Sequence, residues 1–235
     1  MIKAAIEKIL EMSKPNITEL HGASYTDKKL HVVAKPHPEC LTFHSLLGLT
    51  DVIKREAICY CGAPLIVRVT NECDVDVFGT THHEDGVRDF WYSCKADVPR
   101  QYFNSYMPYE EMIINLRSKF VRDENLDELV ALLGNIVEEN ATAVSDDGIT
   151  QTAVVKQGVA LKANKIIKPI VTLTPFRTYL EVDQPSSEFL LRLKQGGGAA
   201  LYEADGGAWK IEARHNIAEF LREQLEGLID VLVVE

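Results

Sequence analysis

No run of apolar residues in this 235-residue chain approaches the ~20 that a helix needs to span a bilayer. Lysine and arginine are outnumbered, 25 against 35 aspartates and glutamates, for a net charge of −10. That balance argues against direct nonspecific nucleic-acid binding, which requires a basic excess to displace counterions. Paired zinc-knuckle spacing is missing, as is a Gly-x-Ser-x-Gly elbow or a Gly-Lys-Ser/Thr phosphate loop. No complete catalytic constellation stands in the chain, and no cofactor motif is present, so no cofactor is expected.

What remains has ordinary globular proportions. The apolar fraction is 46% and the charged fraction 26%, values usual for a soluble domain. A chain of this length buries enough surface to fold without disulfides or metals. The first dozen residues interleave Lys3, Glu7, Lys8 and Glu11 with Ile2, Ile6, Ile9 and Leu10. This is amphipathic helical spacing, without the unbroken apolar core of a signal peptide. An intracellular protein, with Cys40, Cys59, Cys61, Cys73 and Cys94 as free thiols, is the expectation.

The periodicity predicts the following order. A helix ends at Pro15, and a short strand covers 30–34. A helix over 42–56 follows, with Leu46, Leu49, Val52 and Ile53 on one face. Period-two alternation over 65–95 predicts a three-stranded antiparallel meander. Pro108 opens a helix carrying Met112, Ile113, Leu116 and Phe120. Asn125 and Glu128 form an Asn-x-x-Glu helix start, and Asn216 with Glu219 repeats it. Strands are expected over 150–158, 166–174, 188–194 and 199–204. The apolar run 229–234 reads as a strand central to a sheet. The fold class is therefore α+β, two mostly antiparallel sheets flanked by amphipathic helices. The polar stretch 140–148 suggests a division into 1–140 and 141–235, or one continuous domain.

Two clusters carry candidate chemistry. His82, His83 and Glu84, followed by Asp85, supply metal-ligand or acid/base atoms. An extended chain offers only two of them per face, so a third ligand must come from elsewhere; a polar hairpin loop explains the same residues. The four cysteines 59, 61, 73 and 94 have the wrong spacing for a zinc ribbon or finger, and Cys94 lies on the apolar face of its strand. Gly196–Gly198 reads as a tight turn, since the segment joins two strands and not a strand to a helix. His215, placed just before the last helix, is expected to be structural.

The charge pattern is the most distinctive feature. From Arg122 to Asp147 there are eight acidic residues and one basic; from Gly148 to Leu180 there are five basic residues and no acidic one. Such blocks are often solvated faces. They also suit self-association, with Asp123, Glu124, Asp127 and Glu128 on one subunit meeting Lys156, Lys162, Lys165, Lys168 and Arg177 on the next. Alternatively the acidic helix imitates a nucleic-acid backbone and occupies the basic cleft of a host enzyme.

Three segments of the second half bear a resemblance: Gly158-Val-Ala-Leu-Lys162, Pro175-Phe-Arg-Thr-Tyr-Leu-Glu-Val-Asp-Gln-Pro-Ser-Ser-Glu-Phe189, and Ala200-Leu-Tyr-Glu-Ala-Asp-Gly-Gly-Ala-Trp-Lys210. Over 150–235 the chain resembles the YfdQ-like family of phage and prophage proteins, a domain of unknown function. The resemblance implies a phage or prophage origin and a bacterial host cytoplasm, and it implies no activity and no catalytic residues. In the same segment Pro175, Pro185, Gly206 and Gly207 fix backbone shape, and Trp209 joins Phe176, Tyr179, Phe189 and Tyr202 in supplying large apolar area. Arg177, Glu181, Glu188 and Asp205 are candidates for buried or interfacial ion pairs. The leading functional expectation is a phage accessory protein without catalytic activity that assembles into a closed homo-oligomer. The alternatives are an acidic inhibitor of a host defence or nucleic-acid enzyme, and a metal-dependent hydrolase built on residues 82–85.

Overall fold

The computed structural model describes residues 2–20, 23–29, 39–59, 64–81, 86–138, 143–146, 151–157, 160–194, 197–228 and 230–235. The chain divides into two compact units, Met1–Pro38 and Glu39–Glu235. The division expected at 140/141 falls inside the second unit.

The first unit opens with helix α1 (Ile2–Ser13), and a hairpin of β1 (Ile17–Leu20) and β2 (Ala23–Thr26) follows. Pro15 cannot continue the helix, because its ring excludes the needed backbone N–H. The Asp27 carboxylate closes the hairpin by accepting the Asn16 backbone N–H (2.8 Å) and side-chain amide (3.1 Å). The strand expected over 30–34 lies outside the described residues.

The second unit holds a five-stranded sheet in the order β13-β4-β5-β6-β3. Its middle is the meander read from the alternation, β4 (Leu65–Val69), β5 (Asp74–Thr81) and β6 (Arg88–Lys95), paired antiparallel. Both outer strands are parallel to their neighbours: β3 (Leu41–Phe43) beside β6, and β13 (Val231–Val234) beside β4. The last strand is thus at an edge, not central. Its alternate residues Leu232 and Val234 are exposed, so the run VLVV is apolar on both faces yet half-buried on one only.

One face of this sheet presents Val67, Val69, Val75, Val77, Tyr92 and Cys94. Helix α2 (Leu46–Cys59) lays Leu46, Leu49 and Ile53 on it, and α5 (Trp209–Gln224) adds Ile217, Ala218 and Leu221. Helix α2 begins at 46, later than the periodicity suggests, because residues 41–43 pair as a strand and Ser45 Oγ then accepts the Gly48 N–H (3.2 Å) as a cap.

A second core lies between helices α3 (Tyr109–Lys119) and α4 (Glu124–Glu138) and the antiparallel sheet β10 (Ile170–Leu173), β11 (Ser187–Leu193), β12 (Ala199–Glu203). Leu116, Leu133, Leu173 and Phe189 are fully buried there. Both cores draw residues from before and after 140, so a boundary there would cut through each of them. Pro169 splits the strand expected over 166–174: β9 (Ala160–Ile167) ends before it and β10 starts after it. Proline donates nothing to a ladder, though its carbonyl accepts the Leu191 N–H (2.9 Å). A further antiparallel sheet is described as backbone, in the order β7-β8-β9, with β7 (Ala143–Asp146) and β8 (Gln151–Gln157). The α+β class holds, with four sheets among the described residues and one of them mixed.

Two helix starts differ from the sequence reading. The side chain that caps α4 is Asp123, whose Oδ1 accepts the Leu126 N–H (2.7 Å); Asn125 is already inside the helix. Helix α5 begins at Trp209, so Asn216 and His215 are mid-helix. A turn at Gly206 (φ 65°) and Gly207 (φ 84°) admits this early start, since only glycine takes two successive positive φ values without strain.

Candidate functional site

The segment between β10 and β11, residues 174–186, has little regular structure and is anchored on both sides. Val121 N–H donates to Thr174 O (2.8 Å) and Phe176 N–H to Lys119 O (2.9 Å), tying it to the end of α3. Thr178 Oγ1 donates to Glu72 O (2.6 Å), and Glu181 Oε1 accepts the Leu46 N–H at the start of α2 (2.9 Å). Tyr179 is 2% exposed and packs in the core of the five-stranded sheet. Its Oη lies 2.9 Å from Cys73 O and 2.6 Å from Cys94 O. Burial foremost, with the neighbouring cysteines and Asp74, drives its phenol far above the usual tyrosine range. It stays a neutral donor.

The polar centre of this segment is Arg177, whose side chain is 4% exposed. Its Nη1 donates to Glu203 Oε1 (3.0 Å), and its Nη2 to the Ser187 hydroxyl and Pro185 O. The guanidinium carbon stands 3.9 Å from the Trp209 ring centre and 5.8 Å from that of Phe189. Arg177 Nε meets no acceptor among the described residues. Burial lowers the Arg177 pKa below the ordinary arginine value, and Glu203 and Asp205 oppose that shift; the guanidinium remains a cation.

The Ser187 hydroxyl in turn donates to Asp205 Oδ2 (2.8 Å). The Asp205 carboxylate also accepts the Gly207 N–H (3.0 Å) and the Trp209 N–H (3.4 Å) at the start of α5. Partial burial pushes the Asp205 carboxyl up, but these donors and Arg177 outweigh it and hold it below the ordinary aspartate value.

The chain Glu203–Arg177–Ser187–Asp205 thus links β12, the 174–186 segment, β11 and the start of α5. Ser187 is 4% exposed, and its hydroxyl is committed to a carboxylate and a guanidinium. Of the four ion-pair candidates, Arg177 and Asp205 belong to this chain. Glu181 caps α2, and Glu188 points outward from β11. The partner that sequence reading missed is Glu203. Its signal was position, 26 residues from Arg177, and only the β11–β12 register brings it near.

Pro175 and Pro185 are buried within this segment, and Pro175 bridges to Phe120. Trp209 covers the guanidinium. Of the residues expected on a self-association face, Arg177 is buried in this network and cannot present its charge to another molecule.

The acidic residues of α4 are partly occupied within the chain. Asp127 accepts Arg117 Nη1 (3.0 Å) and Arg122 Nε (3.3 Å), and Glu128 lies 3.6 Å from Lys168. With Asp123 acting as the cap, Glu124 is the member of the quartet to which no such role falls among the described residues. The side chains of Lys156, Lys162 and Lys165, on β8 and β9, lie outside the described residues, as do His82, His83 and Glu84.

Among the described residues no group of three or more His, Cys, Asp or Glu is placed to hold a metal ion. None of their helices is long and apolar enough to cross a membrane. Cys94 is buried in the core as its strand position implied, and Cys73 is half-buried, its Sγ donating to Arg177 O (3.4 Å). His215 is exposed on α5 beside Glu219 (3.2 Å). No family model, curated protein or solved structure matches the chain.

Proposed function

We propose that this protein is a non-enzymatic phage or prophage accessory protein of the host cytoplasm that works as a self-assembled homo-oligomer. The phage setting rests on the resemblance of 150–235 to the YfdQ-like family. The observation that carries self-assembly is α1. Ile2, Ile6, Ile9, Leu10 and Met12 are 80%, 52%, 66%, 59% and 70% exposed, and no residue of the helix is buried. Burying each such side chain is worth about 1.5–3 kcal/mol. An isolated helix of this length is marginal in water, so the stripe calls for a partner.

The charge blocks now contribute less to this reading. Asp127 and Glu128 already have basic neighbours in their own chain, and exposed pairs of this kind are worth about 0–1 kcal/mol. An apolar contact also predicts a different response to salt, because salt screens charges and leaves apolar burial intact.

The test is the native mass by light scattering after size exclusion, at low and high salt. The expected result is a defined mass well above the 26.3 kDa protomer at both. A monomer at micromolar concentration in both buffers would end the proposal. Loss of assembly at high salt alone would return the interface to the charge blocks.

A further inference from the structure

Resting on that reading, we infer that the assembly is held by α1 helices of several copies packing against one another as a bundle of three or more. The spacing Ile2, Ile6, Ile9, Ser13 alternates four and three residues, which is the core seam of a heptad. Ala5 and Met12 widen that seam on one side and Leu10 on the other, so the apolar arc covers about half the helix circumference. Isoleucine at both kinds of core position favours trimers and tetramers over pairs, and a wide arc suits a helix with a neighbour on each flank.

A large aliphatic side chain removes roughly 100 Å² from water, so the five exposed ones of α1 give about 500 Å² per copy and about 1,000 Å² between two copies, the least that a specific interface needs. The isoleucine pattern, not the area, sets the number of copies above two.

Charge selects the occupant. The polar face of α1 holds Lys3, Lys8, Glu7 and Glu11, two of each sign, and Lys8 pairs with Glu11 within the helix (2.8 Å). Copies therefore approach without repulsion. A helix lying on an anionic lipid surface carries a Lys/Arg-rich polar face instead, and the net charge of −10 adds repulsion from such a surface.

The experiment compares the full chain with Ile6→Gln/Ile9→Gln and Lys8→Ala variants by light scattering. Glutamine is a better helix former than isoleucine, so loss of assembly in the double variant does not reflect weakened helix propensity. Cooperative urea unfolding of the double variant checks that the rest of the chain is folded, its midpoint below the parent's by no more than the stabilisation that assembly adds. The expected result is an oligomer of at least three for the parent and Lys8→Ala, and a fall to the protomer mass for the double variant. A parent that assembles while the double variant assembles equally overturns this inference and leaves self-assembly standing. A strict dimer overturns the bundle, and loss of assembly in Lys8→Ala overturns the apolar seam. A monomeric parent ends both readings; its co-flotation with phosphatidylglycerol vesicles would assign the stripe to lipid.

Discussion

The guanidinium carbon of Arg177 sits 3.9 Å above the ring of Trp209, the first residue of α5, while its Nη1 holds Glu203 at 3.0 Å. One side chain thus fixes the end of β12 and the start of a helix that packs on a different sheet. A charge so placed stabilises only while its partners remain, because a buried charge left without them is costly.

Replacing Arg177 with alanine therefore destabilises the protein. Breaking a fully buried pair costs about 3–5 kcal/mol, and Glu203 is one third exposed, so about 2–3 kcal/mol is expected. Arg177→Lys loses less, since it keeps the charge but not the planar fork or the stacking. Urea midpoints at constant slope measure both; equal midpoints for the parent and Arg177→Ala would remove the network from the stability of the fold.

Tyr179→Phe tests the anchoring of the 174–186 segment. The hydroxyl has one proton for two carbonyls, Cys73 O and Cys94 O, so its removal leaves buried acceptors short of a donor. A loss of about 1–3 kcal/mol is expected, because phenylalanine keeps the packing volume. Thermal unfolding of the variant should show a single transition at lower temperature.

The acid side of stability should depend on Asp205. Its folded-state pKa lies below the ordinary value of 3.8, so the carboxylate contributes stability above that pH and loses the contribution as pH falls through the folded value. The stability difference between parent and Asp205→Asn is thus greatest near neutrality and shrinks below pH 3.8. A difference independent of pH between 7 and 3, followed by denaturant titration, would show that the carboxylate charge plays no part.

Thiol chemistry should separate the cysteines. Burial, followed by Glu72 and Asp74, pushes the Cys73 thiol up to about 11. Burial likewise takes Cys94 to about 11, with Glu181 and Asp74 adding and the Tyr179 contact opposing. At pH 8 about a thousandth of either is thiolate, the reactive form. Iodoacetamide should modify exposed Cys40 first and reach Cys73 and Cys94 only on unfolding or at strongly alkaline pH, as peptide mass spectrometry would record.

The start of α4 offers a direct comparison. Asp123→Ala should cost about 1 kcal/mol, since it removes the acceptor for the Leu126 N–H. Asn125→Ala should cost nothing measurable or stabilise slightly, because alanine is the better helix former inside a helix. The reverse order in chemical denaturation would restore Asn125 as the cap.

Period alone determined much of this protein. The alternation of Val75 and Val77 with Asp74 and Asp76, and the helical spacing of Leu126, Leu129, Val130 and Leu133, are local consequences of which face is buried. They do not depend on what does the burying. Strand neighbours and helix starts were decided elsewhere. The run Val231–Val234 reads as central because it is wholly apolar, yet its place is set by which edge of the meander lay open, and parallel pairing with β4 carries no local signal. Helix α5 starts at Trp209 because Asp205 turns its carboxylate onto the N–H groups of Gly207 and Trp209, a contact that a spacing rule centred on Asn216 does not see. Glu203 joins Arg177 only through the register of β11 with β12. Sequence supplied the buried charge and the aromatic faces, and the tertiary structure chose their partners, because a buried ion pair depends on distance across strands and not along the chain.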